Sequence, residues 1–148
     1  MKKLICLLAI SVMFLSIALA QDYNWGIGMR LGGDTGGVSV KYKLNTVDAF
    51  EAILAALWDN GFVATALSQR HIPVIGKGTH FYYGAGIHTG AGNRERKFIF
   101  GIDGIFGLEY KFRDVPLALA LDYKPAFNVV GKPALPVSDI ALVIRVTF

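Results

Sequence analysis

The feature that most constrains this chain is a two-residue alternation, seen most clearly in its last ten residues. Ile140, Leu142, Ile144, Val146 and Phe148 occupy one parity of Asp139–Phe148, and Ala141, Val143, Arg145 and Thr147 occupy the other. Successive strand side chains point to opposite faces. One face is therefore a ladder of large apolar groups ending in an aromatic, while the other is mixed and carries a charge. A soluble sandwich strand also has an apolar face, so the meaning depends on how often the pattern recurs and on whether the chain is exported.

Seven further segments repeat it, separated by turn chemistry. In Tyr23–Leu31, Trp25, Ile27, Met29 and Leu31 oppose Gly26, Gly28 and Arg30, and Gly32–Gly37 is expected to turn. In Val38–Leu44, Val38, Val40, Tyr42 and Leu44 oppose Ser39, Lys41 and Lys43, followed by a turn at Asn45–Asp48. Ala49–Trp58 is rich in helix formers, but Asp59-Asn60-Gly61 is a hairpin signal, so a strand is expected there. Phe62–His71 is followed by a turn at Ile72–Thr79, and His80–Thr89 by a polar loop at Gly90–Lys97. Phe98–Phe112 is long, Leu117–Lys124 follows the turn Arg113–Pro116, and Pro125–Ser138 reads as the longest loop. Eight strands joined as hairpins suit a closed, all-β, up-and-down antiparallel barrel.

The N-terminus reads as a secretory signal peptide. Lys2 and Lys3 form a basic start, Leu4–Leu19 an apolar run and Ala18-Leu19-Ala20 a cleavage site, giving a signal at 1–20 and a barrel at 21–148. Cys6 falls inside the signal, so the expected mature chain has no disulfide or thiol chemistry. Cys6 also lies too early for lipoprotein processing. Loss of Lys2 and Lys3 leaves 13 Lys+Arg against 11 Asp+Glu. No clustered basic face is present, and nucleic acid is not an expected partner. The mature chain has no apolar run of about 18 residues, so a spanning helix is not expected.

Volume decides which face is inside. The apolar parities carry fourteen aromatics, among them Trp25, Trp58, Phe62, Phe98, Phe106 and Phe148, plus many Leu and Ile. An eight-stranded barrel is only just wide enough for side chains to fill, and these would overfill it. The other parity carries Gly, Ala, Ser and Thr with Arg30, Lys41, Glu51, Asp103, Glu109, Asp122 and Arg145. These seven are expected to form an interior polar network that plugs the barrel, since buried charges must pair. The apolar face then points toward lipid, where a closed barrel leaves no strand N–H or C=O unpaired. With the first strand running outward from the periplasm, aromatics gather at two heights. Trp25, Tyr42, Phe50, Phe81, Tyr83, Tyr110, Phe112 and Phe148 fall at the periplasmic rim, and Trp58, Phe62, Phe98, Phe100 and Tyr123 at the outer rim.

With these residues in view, the chain resembles the small eight-stranded bacterial outer-membrane proteins of the OmpX and OmpA-barrel type. Tyr82–His88 and Phe50–Leu54 are similar to small outer-membrane proteins of Bacteroidetes-type bacteria. The resemblance implies that Ile140, Leu142, Ile144, Val146 and Phe148 form the C-terminal assembly signal read by the outer-membrane insertion machinery. It also implies a monomer in the bacterial outer membrane, facing lipids and lipopolysaccharide. The periplasmic peptidoglycan-binding domain of full-length OmpA has no counterpart in the sequence.

No catalytic, cofactor or metal site is expected. His71, His80 and His88 share the inward parity, and His71 and His80 are placed to approach each other, but no spacing supplies a third ligand. Gly26-x-Gly28 and Gly84-x-Gly86 lie within strands and precede no helix, so they are not nucleotide loops. Gly90–Lys97 and Pro125–Ser138 are candidate contact surfaces. The expected function is a non-enzymatic structural or surface-interaction role. One alternative is a lipid-A or phospholipid-modifying enzyme, for which Ser39 and Ser138 lack a histidine neighbour. The other is an inverted, lipocalin-like soluble carrier.

Overall fold

A computed structural model describes residues 24–58, 61–74, 76–92, 97–131 and 139–148. The expected signal segment and its cleavage site lie outside these residues. Nine strand segments form among them: β1 (Trp25–Gly32), β2 (Thr35–Lys43), β3 (Asp48–Leu57), β4 (Gly61–Pro73), β5 (Thr79–Gly92), β6 (Lys97–Lys111), β7 (Leu117–Lys124), β8 (Ala126–Val130) and β9 (Asp139–Thr147). Each pairs antiparallel with its neighbours, and β1 pairs with both β2 and β9, which closes the sheet on itself. At the closure, Trp25 and Phe148 exchange both backbone hydrogen bonds, at 3.0 and 2.9 Å.

The fold is a closed eight-stranded antiparallel barrel, because β7 and β8 are one strand interrupted at Pro125. The pairing Phe106↔Tyr123 continues as Asp103↔Ala126 without a slip. Proline lacks an N–H, but its carbonyl still accepts from Gly104 N at 2.8 Å. The register shifts only farther on, between Phe100 and Gly101. Part of the expected Pro125–Ser138 loop is thus strand, because a proline followed by Ala-Phe-Asn-Val-Val interrupts the ladder without ending it.

Other boundaries also depart from sequence expectation. The Gly32–Gly37 turn contracts to Gly33 and Asp34, because Gly36 and Gly37 already pair with Ala56 and Ala55. The Ile72–Thr79 turn loses Ile72 and Pro73 to β4 and Thr79 to β5. The Gly90–Lys97 loop loses its first three residues to β5 and Lys97 to β6. Ala49–Leu57 is strand despite its helix propensity, and Trp58 is a turn residue. Nine consecutive residues of β2 and nine of β4 pair with this stretch, and such pairing overrides an intrinsic preference of a few tenths of a kcal/mol per residue.

The two faces separate cleanly. Outward positions leave Ile27, Met29, Leu54, Phe62, Phe98, Leu121, Ile140 and Leu142 each about half exposed, and inward positions are buried. Aromatic pairs lock neighbouring positions on the outer wall: Trp25 with Tyr42 (4.6 Å between rings), Phe106 with Tyr123 (5.2 Å) and Tyr110 with Phe112 (4.9 Å). On β5, Gly84 and Gly86 take inward positions where a methyl group would collide with the carbonyl oxygens of Ser68 and Ala66. Glycine there lets β4 and β5 coil tightly against each other.

Candidate functional site

Alternation places alternate side chains of every strand inside the barrel, and most of the charged residues within the strands fall at those positions. Arg30, Lys41, Glu51, Asp103, Glu109, Asp122 and Arg145 are all buried, joined by Lys124 and Asp139. Four cations thus face five carboxylates in a closed interior. The barrel sorts them into two layers, named here by their distance from the end where Trp25 and Phe148 pair.

The near layer centres on Arg145 of β9. Its Nη1 donates to Glu109 Oε2 at 2.8 Å, its Nη2 to Glu51 Oε1, and its Nε to Ser39 Oγ at 3.3 Å. Lys41 Nζ donates to the same Glu109 oxygen at 3.1 Å and lies 3.7 Å from Glu51 Oε2. Gln69 Nε2 donates to Glu51 Oε2 at 2.6 Å. Lys41 also sits 4.4 Å from the Tyr82 ring centroid, and His71 stacks on that ring at 5.3 Å. Two carboxylates thus share two cations, the arrangement that offsets the cost of burying each of them.

The far layer centres on Arg30 of β1. Its Nη1 donates to Asp139 Oδ2 at 2.6 Å and its Nη2 to Asp122 Oδ1 at 2.7 Å. Thr35 Oγ1 donates to Asp139 Oδ2 at 2.5 Å. Nearer the mouth, Lys124 Nζ donates to Asp103 Oδ1 at 3.3 Å, and His88 lies between Asp103 Oδ2 (3.0 Å) and Asn128 Oδ1 (2.8 Å).

Between the layers runs an apolar belt of Ile53, Leu67, Ile105, Ala120 and Val143. Leu67 and Val143 already stand on the inward parity in the sequence, and Ile53 and Ile105 join them. Tyr82 crosses the belt: its ring lies under Lys41, and its hydroxyl donates to Asp122 at 3.0 Å. Arg30 Nε, Gln69 Oε1 and His71 Nδ1 have no hydrogen-bond partner among the described residues, and each is a place where a buried water would bond.

Several participants were not expected from sequence. Asp139 and Tyr82 lie on the inward parity, so the signal for them was present. Thr35 and Asn128 were hidden because their segments read as turn and loop. His71 pairs with Tyr82 rather than with His80, whose partner in the ladder is Pro73. No group of three metal-ligating side chains gathers among the described residues. Ser39 is buried against Arg145, and Ser138 lies outside the described residues. The residues of the expected assembly signal, Ile140, Leu142, Ile144, Val146 and Phe148, all lie on the outward face of the last strand, with Ile140 63 % exposed.

No protein-family model matches the chain, and no curated protein matches it significantly. Solved structures do. The N-terminal β-barrel domain of Pseudomonas aeruginosa OprF superposes with a TM-score of 0.63 at 17 % identity, over 86 % of this chain and 98 % of that one. A structure from a study titled "De novo design of transmembrane beta-barrels" superposes with a TM-score of 0.64 at 12 % identity, over 88 % and 100 % of the two chains. At these identities the likeness establishes a shared fold, that of outer-membrane and transmembrane β-barrels.

Proposed function

We propose that this chain is an integral protein of the bacterial outer membrane, exported through a cleaved signal peptide at 1–20, with a sealed interior and a structural or surface-interaction role. The observation that carries the reading is the inversion of its two faces. A closed barrel buries its charges inside and leaves ladders of Leu, Ile, Val, Phe and Trp around its outer wall. Covering apolar surface is worth roughly 25 cal/mol per Å², and a bilayer covers the whole circumference at once. Backbone closure satisfies the requirement that lipid places on every N–H and C=O.

The interior supports a plug rather than a pore or a carrier. Two ion-pair layers and an apolar belt occupy the barrel where a channel or a lipocalin-like cavity would need space. The same filling weighs against an enzyme, because the interior histidines, His71 and His88, are held by Tyr82, Lys41, Asp103 and Asn128. On this reading the protein is a monomer whose partners are outer-membrane lipids and lipopolysaccharide, with the insertion machinery reading Ile140, Leu142, Ile144, Val146 and Phe148. The far end of the barrel faces the cell exterior.

The test is conductance. The refolded chain in a planar bilayer is expected to show no stable single-channel steps. Regular steps of porin size would overturn the sealed interior.

A further inference from the structure

We propose that a trough along the outer wall of β4 holds one diacyl phospholipid with a zwitterionic phosphoethanolamine headgroup. This rests on the membrane reading above. Starting from the periplasmic end, the outward side chains of β4 are Ile72, Arg70, Ser68, Ala66, Ala64 and Phe62. The register sets Phe50 beside Ser68 and Leu54 beside Ala64 on one flank, and Tyr83 beside Arg70 and Ile87 beside Ala66 on the other. Ala52 and Ala85 lie next to Ala66 and Ser68, so small residues floor a depression walled by large ones. Its apolar part is an open hollow of about 430 Å³ that crosses β4 at Ala64 and Ala66, between Val38, Val40 and Leu54 on one side and Ile87 and Phe100 on the other. Most of the outer wall carries large side chains, as on β1 with Ile27, Met29 and Leu31, so the depression is local.

Length and charge identify the occupant. Ala64 to Arg70 spans six residues, about 20 Å at roughly 3.3 Å each. With a strand tilt of about 40° this covers about 15 Å of depth, one leaflet of a core about 30 Å thick. One outward position beyond Ala66, at Ser68, a separate polar recess begins, lined by Asp48, Ser68, Gln69, Arg70, Tyr83 and Gly84. There Arg70 Nε donates to Asp48 Oδ1 at 2.9 Å, with side-chain exposures of 57 % and 35 %.

An exposed cation–anion pair set into an apolar wall, one outward position short of Ile72 at its periplasmic end, complements a headgroup that carries both charges. The phosphate takes the remaining guanidinium edge, where Arg binds such oxygens in fork geometry. The ammonium takes the Asp48 carboxylate, and the protein's own pair need not open. A headgroup with only negative charge gains Arg70 but is repelled by Asp48.

Native mass spectrometry of the chain refolded in detergent, with its barrel verified by heat-modifiable gel mobility, tests the site. Dipalmitoyl phosphatidylethanolamine and phosphatidylglycerol are the probes, at equal concentration. Wild type should retain one phosphatidylethanolamine in preference to phosphatidylglycerol. Arg70→Ala, which loses a charge-assisted hydrogen bond worth about 1.5–3 kcal/mol, should lower that retention roughly tenfold or more. Ala66→Phe fills the trough from the outer wall and should abolish retention with the barrel intact. Asp48→Asn should shift the preference toward phosphatidylglycerol. Undiminished retention in Ala66→Phe, or a preference that Asp48→Asn leaves unchanged, overturns the site while the membrane reading stands. A chain with no heat-modifiable form overturns the membrane reading and the site with it.

Discussion

Arg145 Nη1 on β9 donates to Glu109 Oε2 on β6 at 2.8 Å, reaching over the intervening strand β7. Such a bond fixes the cross-section of the barrel, because it joins strands that share no backbone ladder. The same guanidinium holds Glu51 on β3, so one side chain ties three strands across the near layer.

Removing that cation takes away the guanidinium that Glu51 and Glu109 share and leaves Lys41 to bridge them. Arg145→Ala should therefore destabilise the barrel by about 3–5 kcal/mol, the usual cost of breaking a buried pair from one side. Urea titration in phospholipid vesicles, followed by Trp25 and Trp58 fluorescence, measures this. A loss below about 1 kcal/mol, the range of exposed ion pairs, would mean that water reaches the near layer.

The tight approach of β5 to β4 predicts that Gly86→Ala costs about 1–3 kcal/mol, because its methyl group meets the Ala66 carbonyl oxygen. Gly33→Ala is the control. No atom lies within 4 Å of its added Cβ, and its effect should stay within about 0.5 kcal/mol. The same titration, run on both variants, compares them.

Depth separates a lipid-facing wall from a merely exposed one. Leu142 is 46 % exposed midway along β9, and Leu44 is 53 % exposed in the turn between β2 and β3. In a bilayer, Leu142→Arg should cost about 2–4 kcal/mol and Leu44→Arg about 0–1 kcal/mol. In a water-soluble barrel the two would cost much the same. Unfolding free energies of both variants from vesicles decide between these.

Deleting Phe148 removes the residue that exchanges two backbone hydrogen bonds with Trp25. At about 0.5–1.5 kcal/mol each, the refolded barrel should lose only about 1–3 kcal/mol. Assembly in cells should fall much further if Phe148 also serves as the recognition signal. Urea titration in vitro measures the first quantity, and heat-modifiable protein in isolated outer membranes measures the second in cells. Equal impairment in both would reduce Phe148 to a structural residue.

Alternation made the barrel legible before any coordinates, because a period of two assigns inside and outside for every strand at once. It sorted Arg30, Glu51, Glu109 and Arg145 inward from parity alone. It could not tell which charge meets which, since Arg30 and Asp139 are separated by 109 residues. Nor could it show that Ile53, Leu67 and Ile105 form a belt between two polar layers, because depth depends on register. Strand ends were the weakest part. Gly36, Pro73 and Pro125 carry turn chemistry, yet each lies in or beside a continuing ladder, where pairing with a neighbour outweighs local preference. The trough on β4 escaped notice for a related reason: Ala64, Ala66 and Ser68 look unremarkable until Phe50, Leu54, Tyr83 and Ile87 stand on either side.

Lipid of an outer membrane covering the apolar outer wall, as proposed, fixes where the folded chain should be found. Density fractionation of cells expressing the full chain, with each fraction run boiled and unboiled on a gel, tests it most directly. The expected result is a band in the outer-membrane fraction that changes mobility on boiling. Recovery of the folded chain in the soluble periplasmic fraction would contradict it.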